Sequence, residues 1–247
     1  MRASRGLFWP TIFAVFSFVL LILLGVWQLQ RLAWKEDLIA KIEARAKSPP
    51  QALPPPAQWP SLAPADYDYR HVTLSGSFLT GRDALVFRGS ANAVAAGGGP
   101  GYFVMTPFLL SSGGTVIVNR GFVPLDRKNE ALLPAASPSP SVTLSGLMRP
   151  PEERNLFTPA DKPEKGEFFT RDPALIASAL QADNAAPFSI DLDPEPHQDT
   201  TWPRPGTTEI SFPNNHLSYA LTWFGLAIGL LLVFLVFVWN ARKGAAA

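Results

Sequence analysis

Asn214-Asn215-His216-Leu217-Ser218-Tyr219-Ala220-Leu221-Thr222-Trp223-Phe224 opens a run that stays almost wholly apolar as far as Trp239. At about 1.5 Å rise per residue, a helix over residues 214 to 239 is long enough to cross a hydrocarbon core of about 30 Å. His216 then sits on a helix at a membrane interface, where an ionisable side chain needs a partner or a purpose. A second apolar run covers residues 7 to 27, with no charge and a high density of Leu, Phe, Val and Ile. It is longer than the apolar core of a secretory signal, and no small-residue cleavage site follows Gly25-Val26-Trp27-Gln28, so it reads as an uncleaved anchor. The expected fold is a membrane α-hairpin of two transmembrane helices, at 7–29 and 214–239, flanking one domain.

Two spans place both termini on one side of the membrane. Arg242 and Lys243 follow the second span, against Arg204 alone shortly before it, which puts the C-terminus in the cytoplasm by the positive-inside bias. The first span counts the other way, because Arg2 and Arg5 precede it while Arg31, Lys35, Lys41, Arg45 and Lys47 follow. That basic run also carries Glu36, Asp37 and Glu43, however. It reads as a membrane-proximal helix over 30–47 with i,i+4 opposite charges such as Asp37 and Lys41. The expectation is a multi-pass protein of a bacterial plasma (inner) membrane, with a periplasmic central domain. Only six residues precede the first run, too few for an organelle presequence.

With no cysteine, the chain offers no disulfide scaffold, iron–sulfur site or thiolate metal relay. The formal net charge of +1 hides a division. Between Arg31 and Glu209 there are 17 basic and 20 acidic residues, a net of 17 − 20 = −3, which argues against nucleic acid as a partner.

Residues 48–64 hold seven prolines, a composition that excludes helix and central strand and predicts an extended linker. An external α+β domain over 65–212 follows. Runs of β-branched and aromatic residues, punctuated by Gly and Pro, predict short strands at Val72–Phe78, Ala84–Arg88, Tyr102–Leu110, Val116–Val123, Val142–Met148 and Phe188–Leu192. Ser112-Gly113-Gly114 reads as a hairpin turn. Val72-Thr73-Leu74-Ser75-Gly76 recurs as Val142-Thr143-Leu144-Ser145-Gly146, a sign of two strands in equivalent surroundings or of a weak duplication. Leu175, Ile176, Ala179 and Leu180 have helical spacing, and Asp172-Pro173 supplies the cap, so one helix over 171–182 is expected. The domain is therefore read as mainly β, small and barrel-like or sandwich-like, with one covering helix.

No catalytic set assembles, and the chain reads as a non-enzyme. The histidines are His71, His197 and His216, none in a nucleophile motif. Asp191, Asp193, Glu195, His197 and Asp199 alternate along a Pro-containing stretch, read as solvated charge rather than a cation site. His71 opens a strand and reads as structural. The Gly/Ala-rich stretch 93–99 lacks the Lys and the strand–helix context of a phosphate loop. Trp27, Arg31 and Trp34 share a helix face at the end of the first span, where an aromatic belt with a snorkelling Arg is the simpler account. On the second span His216, Ala220, Trp223 and Ala227 share one face, and Gly225 and Gly229 offer a small-xxx-small packing surface on the opposite side. An imidazole beside an indole suits a flat, metal-bearing ligand such as haem. The alternative is a histidine hydrogen-bonded to interfacial neighbours.

The ordered set Gly25-Val26-Trp27-Gln28, Arg31, Trp34-Lys35, then Gly101-Tyr102, Thr106-Pro107, Val118-Asn119-Arg120-Gly121-Phe122-Val123-Pro124, and Asn214-Asn215-His216-Leu217 with Tyr219-Ala220 and Thr222-Trp223, resembles the first surfeit locus protein family. These are cytochrome c oxidase assembly factors, called Shy-one in yeast. The resemblance covers essentially the whole chain. It implies a membrane hairpin holding an external domain, acting in maturation of oxidase subunit I, with haem a as the proposed cofactor of bacterial members. It further implies His216 as the haem-iron ligand, Trp223 as a pocket residue, and Trp27, Arg31, Trp34, Arg120 and Gly121 as partner-binding or structural positions. Phe122 stands where the family usually has Trp. The expected partners are oxidase subunit I, haem A synthase and membrane lipid. The expected function is an assembly factor that binds or hands over haem a, or else a scaffold for the assembling subunit that never touches haem.

Overall fold

The computed structural model describes residues 3–89, 99–132, 140–194, 202–206 and 214–246. Among them lie helices α1 (Ala3–Ala46), α2 (Pro64–Tyr67), α3 (Pro173–Ala179) and α4 (His216–Ala246). The strands are β1 (Gln51–Ala52), β2 (His71–Phe78), β3 (Ala84–Arg88), β4 (Gly101–Leu110), β5 (Thr115–Pro124), β6 (Val142–Arg149), β7 (Glu167–Phe168) and β8 (Ala185–Leu192). The chain forms two compact units, one of Met1–Lys41 with Ser211–Ala247 and one of Ile42–Ile210.

The helical unit contains two helices long and apolar enough to cross a membrane, over Leu7–Ala46 and His216–Lys243. Their side chains are largely exposed, Phe13 by 71% and Val233 by 70%. Water would penalise that arrangement and lipid would not, so the chain is membrane-associated. No break separates the expected span from the expected membrane-proximal helix, since α1 is continuous from Ala3 to Ala46. Asp37 and Lys41 pair at 2.6 Å, as their i,i+4 spacing predicts.

Helix packing follows a different face from the one the small-residue pattern predicts. Nothing lies within 4 Å of a Cβ placed at Gly225 or Gly229. Ala220 and Ala227, on the face of His216, are buried instead, as is Ala14 on α1. The cause is Gly25, whose missing side chain admits the Phe224 ring; a Cβ there would lie 2.5 Å from it. Small residues on α1 thus set the seam, and the α4 glycines are left outside it.

In the second unit β2 pairs with β6, β6 with β8, β8 with β5, β5 with β4, and β4 again with β2. Five strands therefore close into a barrel, which leaves no free edge along the ring. β3 and then β7 extend β4 beyond the seam, while β1 extends β2. All six strands expected from the sequence are present, and Leu110 and Thr115 flank the turn at Ser112-Gly113-Gly114, where both glycines have positive φ. The strands missed are β1 and β7, each of two residues and too short to show a period.

The repeated pentapeptides lie against each other. Val72 faces Gly146, Leu74 faces Leu144 and Gly76 faces Val142, so the two copies pair antiparallel about Leu74 and Leu144. At the two ends of this ribbon the glycines let the next strands in. A Cβ at Gly76 would lie 2.0 Å from the Leu109 carbonyl oxygen on β4, and one at Gly146 would lie 2.3 Å from that of Asp191 on β8.

Inward residues alternate along each strand, with Val72 and Leu74, Phe108 and Leu110, Val116 and Val118, and Phe188 and Ile190 forming one core. The opposite faces of β4 and β5 are buried too, through Met105 and Ile117, because Ile176 and Ala177 of α3 pack there with Phe168. The helix is capped as expected: the Asp172 carboxylate accepts from Ala174 N and Leu175 N, and Pro173 takes the first turn.

The expected linker at 48–64 needs correction. Gln51 and Ala52 pair parallel with β2, and Trp59, 6% exposed, packs edge-on against Phe188 in the barrel core. Proline kept out long helix and central strand, but a 3-10 helix forms over Pro56–Ser61, and its buried indole, donating from Nε1 to the Pro54 carbonyl at 2.8 Å, fastens the segment to the domain. The folded unit therefore starts before residue 65.

Substituting Gly146 by Ala should destabilise the chain by roughly 2–3 kcal/mol, because backbone rather than a side chain must give way. Gly225→Ala, with nothing near its Cβ, should be neutral. Thermal unfolding of the purified full chain in detergent checks the pair.

Candidate functional site

Helix α4 begins at His216, whose N–H donates to Asn214 Oδ1 at 3.4 Å. The imidazole Nδ1 lies 2.7 Å from Gln28 Oε1 of α1, within the same helical unit. A carboxamide oxygen only accepts, so with Oε1 turned toward it Nδ1 is a protonated nitrogen, and in the uncharged form of the ring the lone pair then falls on Nε2. No hydrogen bond of Nε2 is found among the described residues. Gln28 is 9% exposed, a polar side chain buried one turn beyond Gly25. Further along the face of α4, Trp223 Nε1 is buried without a hydrogen-bond partner among the described residues.

The expected site residues divide among three places. His216 and Trp223 share the packed face of α4. Trp27, Arg31 and Trp34 lie on exposed surface of α1, with Trp27 51% and Trp34 53% exposed and the Arg31 guanidinium 4.4 Å above the Trp34 ring. Arg120 and Gly121 belong to the barrel unit. Arg120 Nη1 donates to the Ala131 carbonyl at 3.2 Å and lies 3.4 Å from the buried Asp83 carboxylate. Burial pushes the Arg120 pKa below its ordinary value, against the opposing pull of Asp83. Gly121 has φ 127° and would place a Cβ 2.0 Å from the Arg204 carbonyl oxygen, so only glycine lets the 202–206 segment pair with Phe122. Phe122 is 1% exposed and edge-on to Phe103, a packing position.

The acidic ladder is not solvated charge where it is described. Asp191 is 2% exposed and takes Arg171 Nη1 at 3.0 Å and Asn119 Nδ2 at 2.9 Å. Asp193 Oδ2 accepts from Ser145 Oγ and lies 2.7 Å from His71 Nε2, and His71 Nδ1 bonds the Ser48 carbonyl at 2.8 Å. Both ring nitrogens thus face acceptors. Glu195, His197 and Asp199 lie outside the described residues, as do residues 93–98 of the Gly/Ala-rich stretch. Among the described residues no cluster of three His, Cys, Asp or Glu could hold a metal ion.

The chemistry of the α4 face is of the kind that would hold a haem-type group: one imidazole with one nitrogen engaged, and one buried indole N–H in need of an acceptor. The apolar cavity of the helical unit is a separate feature. Lined by Ala14, Val15, Phe18, Leu230, Leu231 and Phe234, its volume of about 150 Å³ is of benzene size and too small for a tetrapyrrole. Gln28 is the residue the sequence reading passed over. The signal was present, since a carboxamide at the end of an apolar span, three residues after Gly25, needs a polar partner.

A closed five-stranded barrel in a chain with two helices long and apolar enough to cross a membrane, one opening on a histidine bonded to the other, defines a membrane-associated barrel protein. The SURF1 family profile matches residues 15–228. A SURF1-like protein of Monosiga brevicollis is 33% identical over 98% of this chain and 90% of its own length. Surfeit locus protein 1 of Homo sapiens is 34% identical over 83% of this chain and 69% of its own length, and that of Mus musculus 34% over 82% and 67%. The chain belongs to the SURF1 family, known as cytochrome c oxidase assembly factors.

The His71 clamp gives the barrel unit a pH signature. Burial alone would lower the His71 pKa, but hydrogen bonds to Asp193 and the Ser48 carbonyl outweigh it and raise the value above the ordinary one. The stabilisation is therefore complete below the unfolded-state value of about 6.5 and is lost as the pH rises through the higher folded-state value. The melting-temperature gap between wild type and His71→Phe should be widest below about pH 6 and should narrow as the pH rises.

Proposed function

We propose that this chain serves cytochrome c oxidase assembly by holding haem a during maturation of oxidase subunit I, with His216 as the residue that would bind its iron. The observation that carries the reading is the placement of His216 at the start of an apolar helix: Nδ1 is engaged by the Gln28 carboxamide, and no hydrogen bond of Nε2 is found among the described residues. A neutral imidazole of that kind is a common ligand of haem iron. The buried Trp223 N–H would donate to an oxygen at the periphery of the group. The chain itself forms no covalent bond in this role; it binds, orients and shields. Haem A synthase is the proposed donor and subunit I the acceptor. The proposed setting is a bacterial plasma membrane, with both termini cytoplasmic and the barrel periplasmic, supported by Arg242 and Lys243 after the second span.

A scaffold that never touches haem is the second reading. One observation favours it: the His216–Gln28 bond lies on the face where Ala220 and Ala227 are buried, so it could serve only to lock the two helices.

Co-production with haem A synthase, followed by purification and a visible spectrum, separates the two. On the haem reading, His216→Ala should lose most of the bound haem a at equal protein level and shift the spectrum of the remainder. Trp223→Ala should weaken retention less, and His197→Ala should leave it unchanged. Equal haem content and spectrum in wild type and His216→Ala would leave the scaffold.

A further inference from the structure

Gln28 is more expensive than an apolar residue at the same place. Its carboxamide is removed from water inside a helix pair otherwise closed by Gly25, Phe224, Ala220 and Ala227, where Leu or Met would pack without any polar group to satisfy. What the carboxamide provides is one directed contact, Oε1 to His216 Nδ1 at 2.7 Å. With Oε1 turned toward it, Nδ1 must carry the proton; the amide turned over would donate to a bare Nδ1 and suit the other tautomer, so the tautomer of His216 reports which way Gln28 is held. The contact also fixes the rotation of the ring about its axis. The Asn214 cap orients the first turn of α4 but touches only the His216 backbone, so it cannot choose between tautomers.

We propose that Gln28 is a positioning residue: it holds His216 as the Nδ1–H tautomer and so reserves Nε2 for the iron of a haem-type ligand. This deepens the haem reading above and rests on it for the identity of the ligand. Metal-bound histidines as a rule donate their other ring N–H to a fixed acceptor, and loss of that acceptor typically costs about 10–100-fold in affinity. The uncharged amide also tunes the ligand. A carboxylate at the same place would draw harder on the Nδ1 proton and make the imidazole a stronger electron donor to iron.

Two measurements on the full chain test this. The first uses haem-free protein labelled with ¹⁵N at histidine, in detergent micelles or nanodiscs. Wild type should show His216 with a protonated Nδ1 and a bare Nε2, and Gln28→Leu should move the ring toward Nε2–H. An unchanged tautomer in Gln28→Leu would overturn the positioning role. The second uses protein co-produced with haem A synthase. Gln28→Leu should bind haem a about 10–100-fold more weakly. Gln28→Glu should retain it, with a lower midpoint potential and a higher iron–histidine stretching frequency than wild type. Wild-type potential and stretch in Gln28→Glu would reduce Gln28 to helix packing. A tautomer shift in a chain that takes up no haem would keep Gln28 as the residue that orients His216 and would remove the iron ligand reading itself. Gln28→Met, which preserves bulk without an acceptor, should behave as Gln28→Leu does; wild-type behaviour there would likewise overturn the proposal.

Discussion

The barrel unit turns on a charge pair with no access to water. Arg171 and Asp191, 4% and 2% exposed, meet at 3.0 Å between the segment that leads into α3 and the last strand of the ring. Such a pair is favourable only if the remaining donors and acceptors are filled, since desolvating both ions costs several kcal/mol each, on the order of what their attraction returns. The surroundings meet that condition in large part. Asn119 of β5 donates to Asp191, Glu152 accepts from the Arg171 backbone N–H at 2.9 Å, and Arg88 of β3 closes on Glu152 at 2.7 Å. Burial works against a charged Arg171, but Asp191, Glu152 and Asp68 outweigh it and hold its pKa above the ordinary value. Glu152 is likewise opposed by burial and held below the usual carboxylate range by Arg88 and Arg171. One network therefore joins β3, β5, β8 and the approach to α3, and removal of either central partner would leave the other to longer contacts, Arg171 to Glu152 at 3.6 Å or Asp191 to Arg149 at 3.8 Å, at a cost of up to about 3–5 kcal/mol.

Much of the fold was legible because it rests on short-period signals. Strands Ala84–Arg88 and Val142–Arg149 sit where β-branched runs end in Gly or Pro, and Asp172-Pro173 caps α3 as the pair of residue types requires. What could not be read was which strand lies beside which. The duplicated Val-Thr-Leu-Ser-Gly gave a hint of equivalence, and the reason is now physical: the copies face one another, and each glycine is the point where a further strand crosses closely. The burial of Trp59 was hidden for a different cause. Proline content describes the backbone of 48–64, whereas the indole that anchors it depends on a core built from residues far away in sequence.

At the candidate site the histidine was legible and its partner was not. An ionisable group at the mouth of an apolar helix stands out on its own, but the identity of its acceptor depends on how α1 and α4 meet. That meeting is decided by Gly25 and Phe224 rather than by the glycine pair on α4. For Arg120 and Gly121 the resemblance implied a partner-binding or structural role without saying which, and the contacts are within the barrel unit: the arginine braces Asp83 and Ala131, and the glycine makes room for the chain at Arg204.

The place of β8 in the ring governs the order in which the chain can become a folded object. This strand fills the gap between β5 and β6 and brings Asp191 to Arg171, yet it ends at Leu192, shortly before α4 starts at His216. A chain emerging from its N-terminus therefore leaves the β5 and β6 edges unpaired, and Arg171 without Asp191, until nearly all of it has been made. A product that ends between β6 and β8 would keep the ring strands β2, β4, β5 and β6 but lack the one that closes them, leaving edges available to any neighbouring strand. Nonsense variants within that interval should thus converge on the same fate, aggregation or clearance, irrespective of how much sequence each has lost.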